Sequence, residues 1–173
     1  MKKIILALTL GLFGFGAATA QAIDIGVNAS YWDTEDADAT WGVGGKIGMP
    51  FFIERIHLEV RAYQFKEEEV ALFGDVDIIP LDLGLAFYIT QEESVNPYIV
   101  GGISYNFVDA SEIGLDDDYG YYIGGGLEVP LGEGFALTGE AIFRAAEFDS
   151  KAGLDESFDT TGTTMNVGLR FRF

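Results

Sequence analysis

"NVGLRFRF", residues 166–173, closes the chain, and through it Val167, Leu169, Phe171 and Phe173 alternate with Asn166, Gly168, Arg170 and Arg172. A period of two is the signature of a strand, whose successive side chains point to opposite faces. Chain ends normally fray and tolerate change. Strict alternation up to a terminal aromatic residue therefore predicts an end that is itself paired or recognised.

The same period runs back through the sequence. Ile23, Ile25, Val27, Ala29 and Tyr31 alternate with Asp24, Gly26, Asn28, Ser30 and Trp32, and Trp41, Val43, Gly45, Ile47 and Met49 with Thr40, Gly42, Gly44, Lys46 and Gly48. Ile56 to Ala62 oppose His57, Glu59, Arg61 and Tyr63, and Ile79 to Ile89 oppose Pro80, Asp82, Gly84, Ala86 and Tyr88. Three further segments, 98–107, 121–129 and 137–144, precede the terminal one, 164–173. Eight strands of about 9 to 11 residues suit tilted crossings of a bilayer. Short turns at "PFFIER" (50–55), "TQEESVN" (90–96) and "PLGEG" (130–134) alternate with longer polar loops at about 33–39, 66–77, 108–118 and 147–161. This rhythm predicts an all-β fold, an eight-stranded antiparallel up-and-down barrel.

Residues 1–22 read differently. Lys2 and Lys3 precede an apolar run from Ile4 to Phe15, and "GAATAQA" follows with small residues. These are the parts of a secretory signal peptide, with cleavage expected after Ala22 or, one small-residue motif earlier, after Ala20. The mature domain is then 23–173. The sequence contains no cysteine, so no disulfide and no thiolate chemistry is available to an exported domain. The formal charge is −18, and loss of Lys2 and Lys3 makes it −20, which argues against nucleic acid as a partner.

Alternation alone leaves open whether the apolar register faces lipid or, as in a soluble lipocalin-like binder, an internal ligand. The charges decide. The non-apolar register holds five acids (Asp24, Glu59, Asp82, Glu128, Glu140) and five bases (Lys46, Arg61, Arg144, Arg170, Arg172), a neutral sum inside a strongly acidic chain. Buried charges must be paired, whereas a solvated face has no need to balance. An Arg or Lys facing lipid at the midplane would cost about 2 to 4 kcal/mol. The charged register therefore points into the lumen. Aromatic residues of the other register gather toward strand ends, with Tyr31, Trp41, Tyr105, Phe107, Tyr121 and Phe143 toward the long loops. Phe51, Phe87, Phe171 and Phe173 lie toward the short turns. Two such bands mark two membrane interfaces.

Asn166, Gly168, Phe171 and Phe173 together resemble the C-terminal assembly signal of bacterial outer-membrane β-barrels, and the mature chain is similar to small transmembrane barrels of the OmpA/OmpX type. The resemblance implies location in the outer membrane, contact with its lipid and lipopolysaccharide, and handling by the barrel-assembly machinery and periplasmic chaperones. It implies no cofactor and no particular activity, because many functions use this barrel.

Enzyme chemistry finds little support. The only histidine, His57, is followed two residues later by Glu59, where the nucleophile pair of lipid A deacylases resembles His-x-Ser. "GVGGKIG" lacks the Ser or Thr and the strand-to-helix setting of a phosphate loop, so its glycines, like those of "GGG" at 124–126, read as spacers in a crowded lumen. The loops are densely acidic, as in Asp116, Asp117 and Asp118, and weak divalent-cation bridging to lipopolysaccharide is the one metal role they suggest. The expectation is a non-enzymatic outer-membrane barrel serving envelope integrity or surface interaction, with a narrow channel as the alternative. Hairpin counting about the 50–55 turn sets Lys46 opposite Glu59. Closure of the last strand on the first brings Arg172 to Asp24.

Overall fold

The computed structural model describes residues 23–34, 39–70, 74–91, 94–110, 118–149 and 157–173. The proposed signal peptide lies outside them. Eight antiparallel strands close into a barrel: β1 (Asp24–Thr34), β2 (Thr40–Phe51), β3 (Ile53–Val70), β4 (Gly74–Tyr88), β5 (Asn96–Ala110), β6 (Asp118–Gly132), β7 (Phe135–Ala145) and β10 (Gly162–Arg172). Between β7 and β10 a two-stranded ribbon, β8 (Glu147–Asp149) with β9 (Ser157–Asp159), stands apart from the barrel sheet.

Closure joins β10 to β1 in an unbroken register from Asp24↔Arg172 to Thr34↔Gly162. Beyond the last pair, the Phe173 N–H donates to the Ile23 carbonyl at 3.0 Å. The Arg172 N–H likewise donates to Gly134 in the β6–β7 turn at 2.8 Å. The terminus is ordered because its backbone completes the wall, and a strand edge left open in lipid would leave polar groups without partners.

The two faces separate as the alternation demands. Val27, Val43, Ile103, Ile123 and Val167 are each more than half exposed on the outside. Asp24, Lys46, Glu59, Arg61, Asp82, Glu128, Glu140, Arg144 and Arg170 are all buried on the inside. Outward aromatics pair at the rims, Tyr31 with Trp41 at 5.1 Å between ring centroids at one end and Phe135 with Phe171 at 5.2 Å at the other. Inside, close approach is allowed by missing side chains: a Cβ at Gly44 would run into the Tyr63 ring, and one at Gly84 into Tyr122. Not every glycine of "GVGGKIG" is such a spacer, since Gly45 lies in the outward register beside Val27 and Ala62.

Three sequence expectations need correction. The segment 66–77 is largely strand, because β3 runs on to Val70 and β4 starts at Gly74, and β5 and β6 reach into 108–118 as far as Ala110 and from Asp118. Charged residues there hide the period of two, yet a polar strand pair outside the bilayer satisfies its backbone as well as a loop would. The β2–β3 turn is also tighter than "PFFIER": Phe51 pairs with Ile53, and Phe52 alone stands between them at φ 62°. A bulge between Pro50 and Phe51 then sets Lys46 opposite Arg61 and Glu59 opposite Gly48, so the expected Lys46–Glu59 pairing is wrong by two residues. The β3–β4 ladder, in addition to these, skips Tyr63 and Gln64 on one strand and Ile79 and Pro80 on the other. Pro80 has no N–H to contribute there.

Candidate functional site

The chemistry-bearing residues lie in the lumen, stacked in three groups that are each electrically neutral. At the level nearest the long loops, Arg144 of β7 meets Asp82 of β4 through two parallel hydrogen bonds, Nη1 to Oδ1 at 3.0 Å and Nη2 to Oδ2 at 2.8 Å. Its Nε donates to Thr164 Oγ1 at 3.1 Å. The guanidinium carbon lies 4.6 Å from the Tyr63 ring centre, 5.6 Å from that of Tyr122 and 6.0 Å from that of Trp32. An arginine so enclosed spends its fork on the carboxylate and its face on aromatic rings.

Glu140 of β7 is the hub of the second group. Lys46 Nζ donates to Oε1 at 2.7 Å and Tyr98 Oη to the same oxygen at 2.6 Å. Arg61 reaches both oxygens, at 3.1 Å and 3.2 Å, and Asn166 Nδ2 donates to Oε2 at 3.1 Å. Arg61 also holds Glu59, with Nε at 3.0 Å and Nη2 in contact with the same carboxylate. Two acids and two bases thus close on one another across the barrel, which is the requirement for burying them.

The third group lies at the short-turn mouth. Arg170 contacts Asp24, Glu128 and the Tyr88 hydroxyl. Arg172 donates through Nε to Asp24 Oδ1 at 2.9 Å. His57 stands between Asp24 Oδ2, 3.0 Å from Nδ1, and the Glu54 carbonyl, 2.9 Å from Nε2. Here the sequence reading needs adjustment: Arg172 meets Asp24 in register, but its side chain is 46% exposed at the rim instead of enclosed.

Of the four residues read as an assembly signal, Asn166 is inside the lumen at the Glu140 hub, while Phe171 and Phe173 face outward at the rim. Gly168 lies opposite Asn28 in the closing seam. Charge counting missed the neutral members of the network, Tyr88, Tyr98, Tyr122, Asn166 and Thr164. Their signal was present, since each falls in the inward register. Among the described residues no group of three or more His, Asp or Glu is arranged to hold a metal ion. Asp116 and Asp117 lie outside the described residues, as do Glu35, Asp36, Asp38, Glu112, Asp155 and Glu156, and only the backbone of Asp118 is described.

A closed antiparallel wall, apolar outside between aromatic rims and filled inside with paired charges, defines an integral β-barrel of an outer membrane. The chain belongs to the outer membrane protein β-barrel domain family, whose pattern matches residues 5–173. Among curated proteins none matches the sequence. Solved structures share the fold at low identity. OprG from Pseudomonas aeruginosa superposes with a TM-score of 0.65 at 16% identity, covering 91% of this chain and 98% of that one. Neisserial surface protein A gives 0.70 at 10% identity, covering 91% and 99%. The N-terminal barrel of Pseudomonas aeruginosa OprF gives 0.60 at 15%, covering 88% and 98%. The protein therefore resides in the outer membrane, in contact with its lipid and lipopolysaccharide.

Proposed function

We propose that this barrel is a non-enzymatic, closed scaffold that presents its acidic long loops at the cell surface, serving envelope integrity or surface interaction. The observation that carries the reading is the filled lumen. Arg144 and Asp82 bridge one side of the barrel to the other beneath Trp32, and the Glu140 hub closes the next level. An ion entering would have to displace buried groups that already satisfy one another, each separation costing several kcal/mol. That weighs against the channel alternative.

The non-enzymatic part rests on His57. Both of its ring nitrogens are engaged, with Asp24 and with a backbone carbonyl, and the side chain is buried. A general base needs a free nitrogen within reach of its substrate. The C-terminal residues Asn166, Gly168, Phe171 and Phe173 would serve recognition by the assembly machinery before the barrel closes. A liposome-swelling assay tests the scaffold reading: vesicles carrying the folded protein should swell in small sugars no faster than protein-free vesicles, and swelling that depends on sugar size would favour the channel.

A further inference from the structure

At the short-turn mouth a cavity of about 470 Å³ opens beside the β2–β3 turn. One side is apolar, formed by Phe51, Phe52 and Ile53, and the other carries Gln91, His57 and Arg172. Two features of this cavity are unexplained by the barrel itself. Phe52 holds φ 62° with 90% of its surface exposed. A bulky side chain in that backbone region is strained where glycine would not be, and the exposed ring packs on its neighbour Phe51, 4.3 Å between centroids, leaving most of its surface uncovered. The Arg172 side chain, at the same mouth, makes its one hydrogen bond to the described residues through Nε, with Asp24; its Nη2 forms a looser ion pair with Glu128 at 3.9 Å, beyond hydrogen-bond reach. A second cavity of about 240 Å³, lined also by Glu128, flanks Arg172, whose side chain is 46% exposed. Asp24 is already engaged by His57 and Arg170, and Glu54, which also lines the larger cavity, is exposed to water.

We propose that this rim cavity seats an anionic phospholipid of the periplasmic leaflet, with its phosphate on the terminal nitrogens of Arg172 and the start of an acyl chain over Phe51, Phe52 and Ile53. Short turns of an outer-membrane barrel lie on the periplasmic side, at the depth of that leaflet's head groups. Guanidinium and phosphate match in charge and in donor geometry. A free phosphate would use the arginine but leave the aromatic wall without purpose, whereas a phospholipid uses both.

Native mass spectrometry of the detergent-folded protein, titrated with phosphatidylglycerol, tests this. The wild type should retain one lipid, Arg172→Gln should weaken retention by about tenfold, the loss of a charge-assisted pair, and excess inorganic phosphate should leave the lipid bound. Phe52→Gly touches no charge and relieves the backbone, so it should lower lipid retention while leaving the thermal midpoint equal or higher. Retention by both variants equal to wild type would overturn the proposal. So would complete displacement by inorganic phosphate, which would make the site one for a free anion.

Discussion

Arg144 and Asp82 meet across the lumen from strands three steps apart around the wall, joined by hydrogen bonds of 3.0 Å and 2.8 Å. Neither charge has an alternative partner in water, so the pair is expected to behave as a unit. Asp82→Asn should cost about 3 to 5 kcal/mol by stranding the guanidinium. An Arg144→Met, Asp82→Leu double change should recover most of it. Urea unfolding of the detergent-folded barrel measures both, and equal losses in the single and double variants would contradict the pairing.

Glu140 should matter more than Glu59. It accepts from Lys46, Arg61, Tyr98 and Asn166, whereas the hydrogen bonds to Glu59 come from Arg61. Glu140→Gln is expected to lower the unfolding midpoint further than Glu59→Gln. Lys46→Met should cost less in the Glu140→Gln background than in the wild type, with a coupling of about 0.5 to 3 kcal/mol in a double-mutant cycle. Additive losses would remove Glu140 from the hub.

Tyr122 carries a buried hydroxyl with no hydrogen-bond partner, set against the Cα face of Gly84. Tyr122→Phe removes an unsatisfied polar group, so the thermal midpoint should hold or rise by the equivalent of about 1 kcal/mol. Gly84→Ala should lower it by about 1 to 3 kcal/mol, because a methyl there meets both the tyrosine and the Gly101 carbonyl. The opposite ordering would mean that the ring does not occupy this place.

Which side of each strand faces lipid was legible in the sequence because the period of two needs no knowledge of neighbours. Neutrality of the inward register supplied the direction. Pairing within the lumen was not legible in the same way. Lys46 finds Glu140 on a distant strand because the shear of the barrel brings distant strands to one level, and a single bulge beside Phe52 moved even the adjacent-strand register. The seam fared better, since no bulge interrupts its register and Asp24 meets Arg172 directly. Uncharged lumen members such as Asn166 and Tyr98 were hidden by attention to charge, although their parity placed them inside.

Phe173 contributes one seam hydrogen bond and an exposed ring, 77% accessible, which is little support for the finished barrel. Its deletion is therefore expected to act on assembly. Cells carrying the truncated chain should accumulate unfolded protein in the periplasm, while the same chain refolded in detergent should keep most of its thermal stability. Normal insertion in cells would contradict a recognition role for the terminus.

The closed lumen is tested most directly by current through a planar bilayer containing the purified, folded protein. The wild type should give no unitary conductance above the bare membrane, because Arg144–Asp82 and the Glu140 hub fill successive levels of the barrel. Stable, protein-dependent single-channel steps from the wild type would contradict the account.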